Sequence, residues 1–181
     1  AGATFISTYL CPSDPQGREL TSCCSNRSNG ADELEDLART SMAGVADSMD
    51  WGCGTYVWPA PDRDGVLYQR SAVSIGQIVD GTSNTLIVGE VVGGGPGSHR
   101  GFFWITWDVL HTYNGINYPL KLPEKPSPWN VEEMGFSSFH PGGCHFALVD
   151  GSVQFISQNI SQTVLTALTT RDGADFVSGD F

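Results

Sequence analysis

Apolar and polar positions switch every few residues along this chain, in bursts too short for long helices. Residues 4–10 (TFISTYL) alternate weakly and predict a strand. CPSDP at 11–15 stops it, because two prolines around Ser-Asp fix a rigid turn. Residues 16–30 read as polar loop, and 31–39 (ADELEDLAR) predict two helical turns with Leu34 and Leu37 on one face. Residues 51–58 alternate again, with Trp51, Cys53, Thr55 and Val57 on one side and Tyr56 and Trp58 on the other, predicting a strand. A turn over 59–65 and one short helical turn over 74–79 follow. Residues 85–90 (TLIVGE) are an apolar, β-branched run suited to a central strand. GGGPG at 93–97 predicts a loop, and 101–107 (GFFWITW) another strand. Residues 111–138 carry four prolines and are expected to run irregularly over the surface.

The sharpest local pattern lies near the end. Residues 144–149 and 152–156 are two short apolar strands joined through Asp150-Gly151, the dipeptide favoured in two-residue type I′ hairpins. Ile160, Val164, Leu165 and Leu168 then fall on one helical face, with Asn159 or Ser157 as the expected N-cap. Phe176-Val177 would add an edge strand. The length of 181 residues favours a single domain, and 22 Gly and 10 Pro against only 16% charged residues weight it toward turns and sheet. An α+β domain dominated by antiparallel sheet is expected.

Charge and cysteine content narrow the setting. Nine basic against 20 acidic residues give a net charge of −11, a field that repels nucleic acid. The best apolar run, 101–110, is interrupted and too short to span a bilayer, so no membrane span is expected. Any export signal lies outside these residues, and the abrupt start at Ala1 reads as a processed product or a fragment. The five cysteines (Cys11, Cys23, Cys24, Cys53, Cys144) show no zinc-finger spacing. In an exported protein they would form one or two disulfides, with Cys11 to Cys23 or Cys24 preferred because that loop is short; in a cytosolic one they would be reduced and buried.

Several residue groups invite chemistry. His140 and Asp150 suggest a dyad, but a strand between them holds them on the order of 20 Å apart, so His140 is expected to fix a loop and Asp150 to make a turn. His140, Cys144 and His145 suggest a transition metal, yet neighbours on a strand point to opposite faces. Asp80, Asn84 and Glu90, or alternatively Asp62 and Asp64, offer hard oxygens of the kind calcium takes; Asx-turn hydrogen bonding is the competing reading. No serine-nucleophile motif or phosphate loop occurs, and no enzymatic activity is expected. Trp51, Tyr56, Trp58 and Trp104 are candidate faces for sugar stacking, against the alternative of core packing.

Read in order, residues 5–15 ending in CPSDP, TSMAGVAD at 40–47, DGTSNTLIVGE at 80–90, His140 to Gly151 within FSSFHPGGCHFALVDGSVQFIS, and LTALTTRDG at 165–173 resemble one bacterial family. These are the prepilin-like proteins named for a His-x(9)-Asp-Gly signature, a domain of unknown function. The resemblance implies export through a prepilin-type pathway, a pseudopilin-like C-terminal sheet, and signature positions at Cys11, Pro12, Asp14, Asp80, Gly81, Asn84, Glu90, His140, Gly142, Gly143, Asp150 and Gly151. The basic leader and long hydrophobic helix of that family lie outside these residues. The expected role is a structural subunit of a pilus-like fibre at the cell surface or outside the cell, its partners being further copies of itself. Residues 4–10 are the candidate donor strand. A surface carbohydrate-binding module, with polysaccharide as partner, is the alternative.

Overall fold

The computed structural model describes residues 2–15, 18, 20–23, 34–49, 63–68, 70–92, 102–104, 109–117 and 135–173. The strand expected at 51–58, the loop at 93–97, residues 105–107, the edge strand at 176–177 and Cys24 lie outside them.

Among the described residues, eight strands form two sheets. β1 (Leu20–Cys23), β2 (Leu34–Thr40) and β5 (Phe102–Phe103) make a three-stranded sheet in the order β1-β2-β5. The larger sheet is built from β3 (Met42–Asp47), β4 (Leu86–Glu90), β6 (Val109–His111), β7 (Gly143–Leu148) and β8 (Val153–Ser157), in the order β6-β3-β4-β7-β8. All its pairings are antiparallel except β3 with β6. A helix, α1 (Gln162–Thr169), packs against β3 and β4. The architecture is therefore α+β and β-rich, as composition and patterning predict.

The core lies between this sheet and α1. Val45, Leu86, Leu110, Phe146, Leu148, Ile156, Leu165 and Leu168 are all buried, and Phe136 packs on Phe146 with ring centroids 5.0 Å apart. Burial of such apolar side chains stabilises the fold by about 1.5–3 kcal/mol each. β4 is the middle strand of five, paired with β3 on one edge and β7 on the other.

Three expectations give way to other structures. Residues 34–40 form β2 rather than helix, because pairing on both sides with β1 and β5 outweighs a two-turn helical pattern. Leu37, Ala38, Arg39 and Thr40 are all buried there, a density that one apolar helix face could not supply. Residues 4–10 do not form a strand either. A 3-10 turn occupies Ser7–Tyr9, and the segment docks on its own chain, the Gly2 carbonyl accepting from the Ala38 amide and the Tyr9 carbonyl from the Ser41 amide. The polar pair Ser7-Thr8 breaks any apolar face on which a strand could be laid down.

The third change is in the hairpin. Three residues, not two, lie inside the bonded pair Leu148 and Ser152 that closes the hairpin: the Gly151 amide donates to the Leu148 carbonyl, and the Leu148 amide to that of Ser152. Gly151 has φ 87° while Asp150 does not enter the left-handed region, which a type I′ turn would require. The helix also begins later than expected: Ser161, not Asn159 or Ser157, accepts from the Val164 amide at 3.2 Å as N-cap.

Candidate functional site

Three segments far apart in sequence meet at one end of the large sheet. Glu90 is the last residue of β4, one step beyond the last registered pair with β7, Gly89 with Phe146. With no ladder partner there, its carboxylate takes the role of a strand carbonyl. Oε2 accepts from the His145 amide at 2.7 Å and lies 3.1 Å from His145 Nδ1. Oε1 is left to face His140 Nε2 at 3.2 Å. The carboxylate's two oxygens are thus divided between two imidazoles.

His140 is held by its loop. The Ser138 hydroxyl accepts from the His140 amide at 3.0 Å and donates to the Gly143 carbonyl at 2.6 Å, while the Ser138 amide donates to Asn117 Oδ1. Gly142, at φ 86°, turns the chain into β7. Gly143 has no room for a side chain, since a Cβ would meet the Ile156 carbonyl. The His140 and His145 rings meet edge to face, centroids 4.9 Å apart, and His145 rests in turn against Phe155.

Cys11 completes the cluster, its Sγ 3.5 Å from His140 Nε2. It is placed by the turn that follows it, closed by the Asp14 amide donating to the Cys11 carbonyl across Pro12, and Asp14 is tied to the Ser41 hydroxyl at 3.2 Å. The Cys11 thiol pKa is raised: burial pushes it up most, a hydrogen bond with the Ser13 backbone opposes that, and the Glu90 carboxylate adds to it. Donor atoms of Cys11, Glu90 and His140 all lie within 4.8 Å of one another. The side chains are half-buried, with exposures of 27% for His140 and 12% for Glu90, so the group is sheltered yet reachable from solvent.

Other candidate positions go elsewhere. Cys11 is a free thiol, so its expected link to Cys23 or Cys24 is not formed. Cys144 points into the core, its thiol pushed up to about 12 mainly by burial, and lies on the face opposite His145. Asp150 caps its own loop, accepting from the Ser152 amide and hydroxyl, which lower its pKa. β7 separates it from His140. Asp80 does not converge with Glu90: its Oδ2 accepts from Thr170 Oγ1 and the Gly173 amide, at the opposite end of β4. Asn84 donates to the Asp80 carbonyl, and Gly81 (φ 98°) accepts from Asn84 and Thr85, which is turn chemistry. Asp64 accepts from the Ser48 amide and hydroxyl, and Asp62 lies outside the described residues. Trp104 donates its indole N–H to the Thr4 carbonyl at 2.9 Å, while Trp51, Tyr56 and Trp58 lie outside the described residues.

The meeting of Cys11, Glu90, His140 and His145 was not foreseen from sequence. The available signal was that the first three each fall in a separate matched motif. Residues 1–163 match the model of the family described as "Protein of unknown function (DUF1559)", SBP_bac_10. No curated protein and no solved structure matches the chain. Spanning most of its length, the family match places this chain in the DUF1559 family of proteins of unknown function.

Proposed function

We propose that this domain is a non-catalytic structural subunit of a pilin-like assembly at the cell surface or outside the cell, exported by a prepilin-type route and joined to further copies of itself. One observation carries the reading. Among the described residues β8 ends the large sheet, and Val153 and Phe155 on it are exposed at 64% and 43%. The Gln158 amide and the Ser152 carbonyl both bond toward β7, so alternation along the strand turns the amides of Val153 and Phe155 outward. An edge that offers unpaired backbone groups and apolar side chains together is suited to strand addition by a second copy. Membership of the DUF1559 family is consistent with it.

The test is association of the purified chain, followed by sedimentation and electron microscopy. Wild type is expected to form oligomers or fibres with rising concentration. Val153→Glu and Val153→Pro, which charge the edge or remove an outward donor, are expected to stay monomeric with unchanged circular dichroism. A wild type that remains monomeric throughout, or variants that associate equally well, would overturn the reading.

A further inference from the structure

We infer that Cys11, Glu90 and His140 form a binding site for one divalent transition metal of the zinc class, which fastens the N-terminal segment to the sheet. The three side chains bring a thiolate sulfur, an imidazole nitrogen and a carboxylate oxygen, the mixed donor set that zinc and its neighbours take in preference to calcium or magnesium. Spacing supports this. For ordinary Zn–S, Zn–N and Zn–O bonds, a tetrahedral ion sets its sulfur and nitrogen donors about 3.6 Å apart and its nitrogen and oxygen donors about 3.4 Å apart. The corresponding separations here are 3.5 Å for Cys11 Sγ to His140 Nε2 and 3.2 Å for His140 Nε2 to Glu90 Oε1. The third edge, sulfur to carboxylate, lies within 4.8 Å.

The surroundings are built as a metal site's outer shell is built. His145 holds Glu90 Oε2 through both its amide and Nδ1, which leaves Oε1 aimed at the centre of the cluster. Ser138 fixes the backbone of His140 from the other side. With three protein ligands the fourth position opens to a shallow pocket beside Asp14, Val91, Ser137 and Phe139, where a water completes the tetrahedron. Metal binding replaces the Cys11 thiol proton, which passes to solvent. The ligands come from the N-terminal loop, the end of β4 and the loop before β7, so the ion joins three segments remote in sequence.

Chelator-treated full chain is titrated with Co2+ and then Zn2+. Wild type is expected to take up one Co2+ with a thiolate-to-cobalt charge-transfer band that Zn2+ abolishes, and Zn2+ to raise its thermal midpoint. Cys11→Ser should lose the band and the thermal shift while keeping the metal-free circular dichroism and thermal midpoint. Glu90→Gln and His140→Gln should weaken binding at least about tenfold, and Glu90→Asp should recover part of it. No uptake by wild type, a band that survives in Cys11→Ser, or an equal thermal shift in both would overturn the site.

Discussion

Gly89 sits where the middle strand passes beneath two aromatic rings. A Cβ added there would lie 2.5 Å from both Phe136 Cδ1 and Phe146 Cε1, closer than carbon atoms pack, and both rings are fully buried. Gly89→Ala is therefore expected to destabilise the fold by about 1–3 kcal/mol, or more if the rings cannot shift, read as a lower urea midpoint. The same scale shows what sequence conveys about single residues. Asp150 as a turn former and the opposite facing of Cys144 and His145 were legible, because each depends on near neighbours. The partnership of Glu90 with His140 was not. Nearness in sequence groups Glu90 with Asp80 and Asn84, whereas a strand carries its two ends apart and delivers Glu90 to a loop from much later in the chain.

Between elements, the segment 63–68 straps the outer end of β3. The amides of Gly65 and Leu67 donate to the carbonyls of Ala46 and Val45, Arg63 pairs with Asp47 at 2.9 Å, and Asp64 receives Ser48. Burial raises the Asp64 pKa; the Ser48 hydroxyl and amide oppose this, and neighbouring Asp47 adds to the rise. The folded chain thus holds the Asp64 proton to higher pH than the unfolded chain. That contribution is complete below the unfolded value and lost as pH rises through the folded one. Asp64→Asn keeps an acceptor for the Ser48 amide without the charge. Its urea midpoint is expected to gain on that of wild type as pH rises through this acidic window, then to run parallel above it. Local elements were well marked in the sequence: the 74–79 turn, β4, the final hairpin and α1. β3 was not marked as a strand, since Ala43 to Asp47 are all buried and show no alternation to read. β2 carried a helical pattern that its strand partners overrode.

For the whole molecule, a net charge of −11 sets copies of this chain against one another. Self-association through β8 must overcome that repulsion, which salt screens over about 8 Å at physiological ionic strength. Added sodium chloride is expected to strengthen association of wild type, measured by sedimentation across a salt series, with Val153→Pro, which loses an edge donor without gaining charge, responding less. The class of fold was legible at this scale, because low charge, many glycines and scattered β-branched runs all favour sheet. The order of strands was not, since it depends on which distant edges find each other.

The parallel contact of β3 with β6 has a consequence for how the chain reaches this state. Gly44 pairs with Val88 on one side and Val109 on the other, so the interior of the sheet is assembled from partners remote in sequence. Each such pairing must close a long loop before any burial rewards it. By contrast, β7 and β8 are joined by a short turn and meet along their whole length. The hairpin can form early and alone, offering Phe146, Leu148 and Ile156 as a template on which β4, then β3, then β6 are laid. Folding would proceed outward from this hairpin across the sheet, at a pace set by loop closure.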